Sequence, residues 1–423
     1  MSKVIRLFVV FLFLSTSVWA NGLSLNSIGP RALGMGGAVV GLANDYSTLY
    51  WNPAGLRNLE GVFIGGYFTG IMPTGTYQAD FTPFGGEAID TETKSNMYPS
   101  PGLIGHWVCM LNDKLTIGLG AYVPAGLGAE WDGTDLRSLS GGTSLNWMSK
   151  IGVVNISPAV SYQVSESFSV GLAVNVFYAL FDLDRPAEVA PNTFAQYSES
   201  STGFGYGVTL GAHYKVNDMI QLGASFRTKT DVTMSGSGEN PAFASMGAPT
   251  KSDFDRDVSW PLWVAGGVAV KPVDNLTLTF DVQYSQWSAS ETEFVTEYKE
   301  AAWKQALEPT GDNKFVLNWK DATQLRLGAE YRINDMATIR GGFYTDPAPG
   351  PDETYNILFP SIDYNAFTGG FSLNFDNLVV DAGAEYLLGS ERDIPFGTYA
   401  DAVPGKHNMN IFAFSIGLGY RIR

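Results

Sequence analysis

The 423-residue chain has one cysteine, Cys109, and three histidines, His106, His213 and His407. One thiol cannot close an intrachain disulfide. With so few soft or imidazole ligands, and no His-x-x-x-His pair, no metal site is expected. None of the histidines stands in a recognisable motif with a nucleophile and an orienting acid, so no catalytic residues are assigned and no enzyme is expected. Cations are scarce too: 26 Lys and Arg against 42 Asp and Glu give a formal net charge of −16. Binding to phosphate backbones needs a basic surface, so nucleic acid is not an expected partner. The Gly-x-Gly triplets lie within strands and lack the strand-to-helix setting of a phosphate loop, so no cofactor is called for.

Long hydrophobic runs are also missing. Near the start, Lys3 and Arg6 precede the apolar run Leu7 to Leu14, and Val18-Trp19-Ala20 supplies small residues for a signal peptidase. Residues 1–20 are therefore read as an export signal, because eight apolar residues fall well short of the roughly 20 that span a bilayer as a helix. After Ala20 every apolar run is interrupted by Gly, Ser, Asn or a charge, which excludes a helical membrane protein. No linker or composition shift divides the rest, as one large closed sheet would require.

What is abundant suits that sheet: 48 Gly, 26 Phe, 20 Tyr and 10 Trp, with only 16% charged residues. The decisive pattern has period two. Phe168, Val170, Leu172, Val174, Val176, Tyr178 and Leu180 alternate with Ser167, Ser169, Gly171, Ala173 and Asn175; Leu276 to Tyr284, Leu325 to Ile333 and Phe412 to Tyr420 repeat the alternation. Such runs match the ~9 to 11 residues that cross a bilayer at a tilt. A soluble sandwich would expose the outward rows to water as a patch far larger than monomers tolerate, whereas lipid wets them without cost.

Tight polar turns are read at Asn112-Asp113, Ser165-Glu166, Asn217-Asp218, Pro272 to Asp274, Asn334-Asp335 and Phe375 to Asn377, with roughly 40 to 60 residues between successive ones, room for two strands and a long loop. Six turns join twelve strands. One more over Leu59 to Thr69 and a terminal one over Asn408 to Ile422 give an all-β, 14-stranded antiparallel transmembrane β-barrel whose termini share the short-turn, periplasmic side. Tyr162, Tyr214, Tyr331 and Tyr420 close downward strands and form the expected periplasmic aromatic girdle.

The inward phase carries Asp281, Arg326, Glu330, Arg332, Arg340, Asp381 and Glu385, mixed charges read as wall-stiffening pairs rather than catalysts. Phe177, Trp263 and Trp287 also fall on the inward phase and either line an apolar ligand pocket or pack against a plug. Glu293 to Leu307 has helical spacing within a long loop. Asn21 to Asn58 is too glycine-rich and irregular for lipid exposure, where each unsatisfied backbone group costs several kcal/mol, so it is expected inside the barrel as an N-terminal luminal hatch. The division is thus 1–20 signal, 21–58 hatch, 59–423 barrel.

The stretch from Gly29 through Leu56, GPRALGMGGAVVGLANDYSTLYWNPAGL, with Asn52-Pro53-Ala54 as its clearest motif, resembles the hatch of the FadL/TodX family of outer-membrane transporters for long-chain fatty acids and hydrocarbons. Gly126 to Trp131, Tyr284 to Ser288 and Gly341 to Asp346 extend the likeness over nearly the whole chain beyond residue 20. The resemblance implies passive uptake of a hydrophobic small molecule across a Gram-negative outer membrane. The ligand is held in an apolar luminal pocket, released by a hatch shift around Asn52, Pro53 and Ala54, and leaves sideways through a break in the third strand. Tyr122, Pro124 and Gly126 mark that break. Because proline completes no ladder, Pro124 either opens the wall or simply ends the strand. Outer-membrane lipid and lipopolysaccharide are the expected surroundings of a monomer. The same motif occurs in relatives acting as secretion-associated or partner-anchoring proteins, which stays open as the alternative.

Overall fold

The computed structural model describes residues 22–422 except Ser27, Glu60, 109–112, 191–192 and Glu291; the expected export signal and Cys109 lie outside the described residues. Fourteen antiparallel strands form the wall: β1 (Val62–Asp80), β2 (Tyr98–Val108), β3 (Leu115–Trp131), β4 (Trp147–Gln163), β5 (Phe168–Ala190), β6 (Thr193–Lys215), β7 (Ile220–Arg227 and Thr230–Glu239), β8 (Lys251–Trp260 and Trp263–Val273), β9 (Leu276–Ser285), β10 (Ala322–Arg332), β11 (Ala337–Asp346), β12 (Tyr364–Phe375), β13 (Leu378–Gly389) and β14 (Gly405–Ile422). β1 pairs with β14 from Val62↔Ile422 to Gln78↔Lys406, so the sheet closes on itself, as strands in lipid require. The long strands reach well past the bilayer on the side opposite the short turns.

The period of two sorts side chains as the sequence predicts. On β5, Val170, Leu172, Val174 and Leu180 are exposed on the outside, while Ser169, Ala173, Asn175 and Phe177 are buried within. Tyr162, Tyr214, Tyr331 and Tyr420 are all exposed near the periplasmic ends of their strands. Asp281, Arg326, Asp381 and Glu385 are buried inside. Arg332 keeps the inward phase but, as the last residue of β10, is exposed at the barrel's end.

Three expectations need correction. Only Ala301–Leu307 (α3, following the two short helices of the N-terminal segment described below) is helical in the loop after β9. Glu293–Val295 instead pairs with Lys314–Val316, and Tyr298 pairs with Phe254 of β8, because Phe294, Val295 and Thr296 suit strands and two partners offer ladder bonds. Trp287 stands on the 3-10 turn Trp287–Ala289 beyond β9, not on a strand; Asp321 holds the turn by accepting from Ser288 N at 3.0 Å. Pro124 does not end its strand: β3 continues to Trp131.

The upper lumen is roofed by an apolar cluster that includes Phe181, Phe243, Phe254, Trp287, Phe294 and Trp303. Trp303 of α3 stacks on Phe243 at 4.5 Å and donates to Pro249 O at 2.8 Å.

Candidate functional site

Below that roof the lumen is filled by the segment from Gly22 to Asn58, most of whose residues are buried. It forms α1 (Pro30–Gly34), α2 (Thr48–Trp51) and a 3-10 turn (Pro53–Asn58). Asn52 accounts for the Asn-Pro-Ala motif. Its carboxamide Nδ2 donates to Val40 O and to Ala212 O of β6, each at 3.0 Å, and its Oδ1 accepts from Ala54 N at 3.3 Å, capping the turn that Pro53 starts. Ala54 O accepts from Ser161 Oγ at 2.8 Å and Ser169 Oγ at 3.0 Å, tying the motif to β4 and β5. The wall also comes close at Gly223, where a Cβ would lie 2.0 Å from Val40 O. Only a residue without a side chain admits such contact.

Charges fasten the other side. Arg31 grips Glu330 through Nε at 2.8 Å and Nη2 at 2.9 Å and donates to Asn44 at 2.7 Å, while Arg340 reaches the same carboxylate at 2.7 Å. Val40 N donates to Asp281 at 2.8 Å, and Arg326 donates to Asn26 O and Gly36 O, each at 2.9 Å. The inward charges read from the sequence therefore hold the N-terminal segment as well as one another.

Phe177 and Trp263 meet at one cavity of about 30 Å³, closed by Leu25, Trp51, Arg227 and Trp260. Phe177 packs edge-on against Trp260 at 5.9 Å, and Arg227 lies between Tyr50 (4.3 Å) and Trp263 (4.7 Å). Trp287 is not part of this cavity. It packs on Trp319 at 5.0 Å, beside Gly22.

A larger cavity, about 270 Å³, runs through the wall: inward residues such as Ile151, Val153 and Tyr364 line it together with the outward Val154 and Leu180. The ladder between β2 and β3 stops at Gly102↔Tyr122 and resumes only where Thr93 bridges Trp131 and Lys94 N donates to Glu130 O at 2.8 Å. Between those points Ser100 Oγ, donating to Val123 O at 3.1 Å, spans the gap, and Tyr98 lies against Gly128, where a Cβ would be 2.3 Å from its ring. On the other flank, the β3–β4 register slips by one residue between Tyr122 and Ala125. Pro124 has no N–H to offer, and the extra residue is taken up as a bulge that bends β3. The free edge is partly used from within: Leu25 N donates to Pro124 O at 3.0 Å and Gly126 N to Leu23 O at 3.1 Å. Tyr122, Pro124 and Gly126 thus stand where the β2–β3 ladder is interrupted. Leu23 to Leu25, Tyr98 and Arg227 escaped sequence reading, because their roles depend on pairings between distant segments.

A family model described as outer membrane protein transport protein (OMPP1/FadL/TodX) matches residues 11–421. Outer membrane protein P1 of Haemophilus influenzae is 22% identical over 74% of each chain, and the long-chain fatty acid transport protein of Escherichia coli K12 is 22% identical over 94% of each. Among solved structures, a Pseudomonas aeruginosa FadL homologue superposes with a TM-score of 0.81 at 16% identity, over 95% of this chain and 100% of that one. The Pseudomonas putida toluene transporter TodX gives 0.71 at 17%, over 96% and 100%. The closed barrel is the shared fold, and the chain belongs to the OMPP1/FadL/TodX family of outer-membrane transport proteins, which are channels and not enzymes.

Proposed function

We propose that this protein carries an apolar small molecule of the fatty-acid or hydrocarbon kind through the outer membrane by passive diffusion, releasing it sideways through the gap between β2 and β3. The observation that supports this reading is the cavity lined at once by inward and lipid-facing residues, beside a wall whose ladder is broken. Relatives named for long-chain fatty acids and toluene agree with an apolar cargo. A molecule released downward into water would lose about 0.8 kcal/mol per CH₂ group, whereas sideways release keeps it in hydrocarbon. Phe177 and Trp263 serve as the inner end of the route and Trp287 as backing for its roof. Residues 22–58 act as the hatch, and Leu23 to Leu25, bonded to the free edge of β3, are the part that must yield.

Gly126→Trp tests this reading, because the new ring fills the gap from its outer side, where nothing closer than 3.4 Å opposes a Cβ. In cells lacking other transporters of this kind, uptake of a labelled long-chain substrate should fall to background while the variant keeps the heat-modifiable mobility of a folded barrel. Undiminished uptake by a folded Gly126→Trp barrel overturns lateral release.

A further inference from the structure

The outer mouth of the gap carries a charge asymmetry. On the outside of β4, the residues from Tyr162 through Val160, Pro158, Ile156, Val154 and Gly152 are uncharged, and the first charge met on ascending is Lys150. Twelve residues at ~3.3 Å each and a ~40° tilt put Lys150 about 30 Å above the tyrosine girdle, just past an apolar band of about 25 Å, at the level of the outer head groups. Its ladder neighbours there are Gly128 on β3 and Asp182 on β5.

Lys150 is exposed and lines the through-wall cavity, and its ammonium takes part in none of the ion pairs among the described residues. The two cations nearest the top of the gap differ in this respect. Lys94 is spent on Glu130 at 2.7 Å, a carboxylate that Asn96 also holds at 2.9 Å. The inner end of the same cavity is acidic: Asp346 accepts from Gln324 at 2.6 Å and Glu385 from Tyr344 Oη at 3.0 Å. An anionic head inside would face two carboxylates, whereas at the mouth it meets an ammonium, with Asp182 across the ladder, beside Gly126 and Gly152, over which nothing lies closer than 3.4 Å.

We infer that Lys150 is a specificity-determining residue at the exit: it receives the carboxylate of an amphiphilic cargo, so that such a molecule leaves head first with its tail still in the cavity. This rests on the lateral route proposed above. A charge-assisted hydrogen bond and the removal of like-charge opposition both favour carboxylates, and neither acts on an uncharged cargo of equal length. The side chain's long stem lets the ammonium sweep the gap while its carbons stay on the apolar wall.

The test compares uptake of a long-chain carboxylic acid with that of the alcohol of the same length in wild type, Lys150→Gln, Lys150→Arg and Gly126→Trp. Lys150→Gln should lower the acid-to-alcohol uptake ratio about tenfold, the worth of one hydrogen bond to a charged group. Lys150→Arg should restore it, and alcohol uptake should stay constant throughout. An unchanged ratio in Lys150→Gln, with Gly126→Trp still blocking both substrates, overturns the role of Lys150 and leaves the lateral route standing. An equal fall for acid and alcohol also overturns it, and marks Lys150 as an anchor on lipid phosphate. Failure of Gly126→Trp to block either substrate removes the route itself.

Discussion

Replacing Asn52 by alanine should unlatch the N-terminal segment from the wall. The buried carboxamide makes three hydrogen bonds, at 3.0, 3.0 and 3.3 Å, two of them to carbonyl oxygens and one to the backbone N–H that starts the Pro53–Asn58 turn. Neutral buried hydrogen bonds contribute about 1 kcal/mol each, so the loss is about 3 kcal/mol. At 1.4 kcal/mol per decade, the ratio of displaced to seated hatch rises roughly a hundredfold. Val40 stays attached through its N–H to Asp281, and Ala54 O keeps Ser161 and Ser169, so the barrel should still assemble. Single-channel recording in planar bilayers measures the effect directly, as open events whose total dwell time grows by about that factor. Asn52→Asp keeps the acceptor for Ala54 N but presents a carboxylate to two carbonyl oxygens, and should open the channel at least as far. A folded Asn52→Ala barrel whose conductance trace matches wild type would refute the reasoning, since the hydrogen bonds of the carboxamide would then carry no share of the closed state.

Gly223→Ala places a methyl 2.0 Å from Val40 O, and overpacking of that kind costs about 1 to 3 kcal/mol; the segment around Val40 should become accessible to protease added from the periplasmic side. Val174→Arg puts a cation on the lipid face of β5 near mid-membrane and should cost about 2 to 4 kcal/mol in denaturant unfolding from bilayers, while Val174→Leu should cost almost nothing. In the extracellular loop before β12, burial pushes the Asp363 carboxyl up to about 6 from 3.8, with Arg392 opposing the shift, and the carboxyl accepts from Ala348 N at 2.8 Å. A raised folded value means that the stabilisation is complete below about pH 4 and is lost as pH climbs through about 6. Proteolysis of that loop should therefore be slower at pH 5 than at pH 7.5, and Asp363→Asn should abolish the difference.

The strands, the sorting of their faces, the count of fourteen and the short turns from Ser165-Glu166 onward were legible in the chain because each follows from local rules; Asn112 of the first expected turn lies outside the described residues. Alternation fixes which side meets lipid, and a short polar stretch between two alternating runs fixes a turn. Asn52-Pro53-Ala54 was recognisable as a motif for the same reason. The helix expected over Glu293 to Leu307 failed over its first half because Glu293 to Val295 found strand partners in Lys314–Val316, and Glu297 and Tyr298 in β8, which no local rule foresees. Trp287 kept the inward period of β9, but the ladder had already ended at Ser285.

What only the tertiary structure decided concerns the gap. Pro124 signals a defect, yet whether that defect ends a strand or opens a wall depends on what lies opposite. Here β2 stops pairing at Gly102, Leu23 to Leu25 take up part of the free edge, and Lys150 comes to stand at the mouth through its register with Gly128. Side-chain alternation is a property of neighbours along one chain. Register is a property of strands brought together across long separations, and nothing local to Tyr122 and Ala125 foretells that β2 stops pairing with β3 at Gly102.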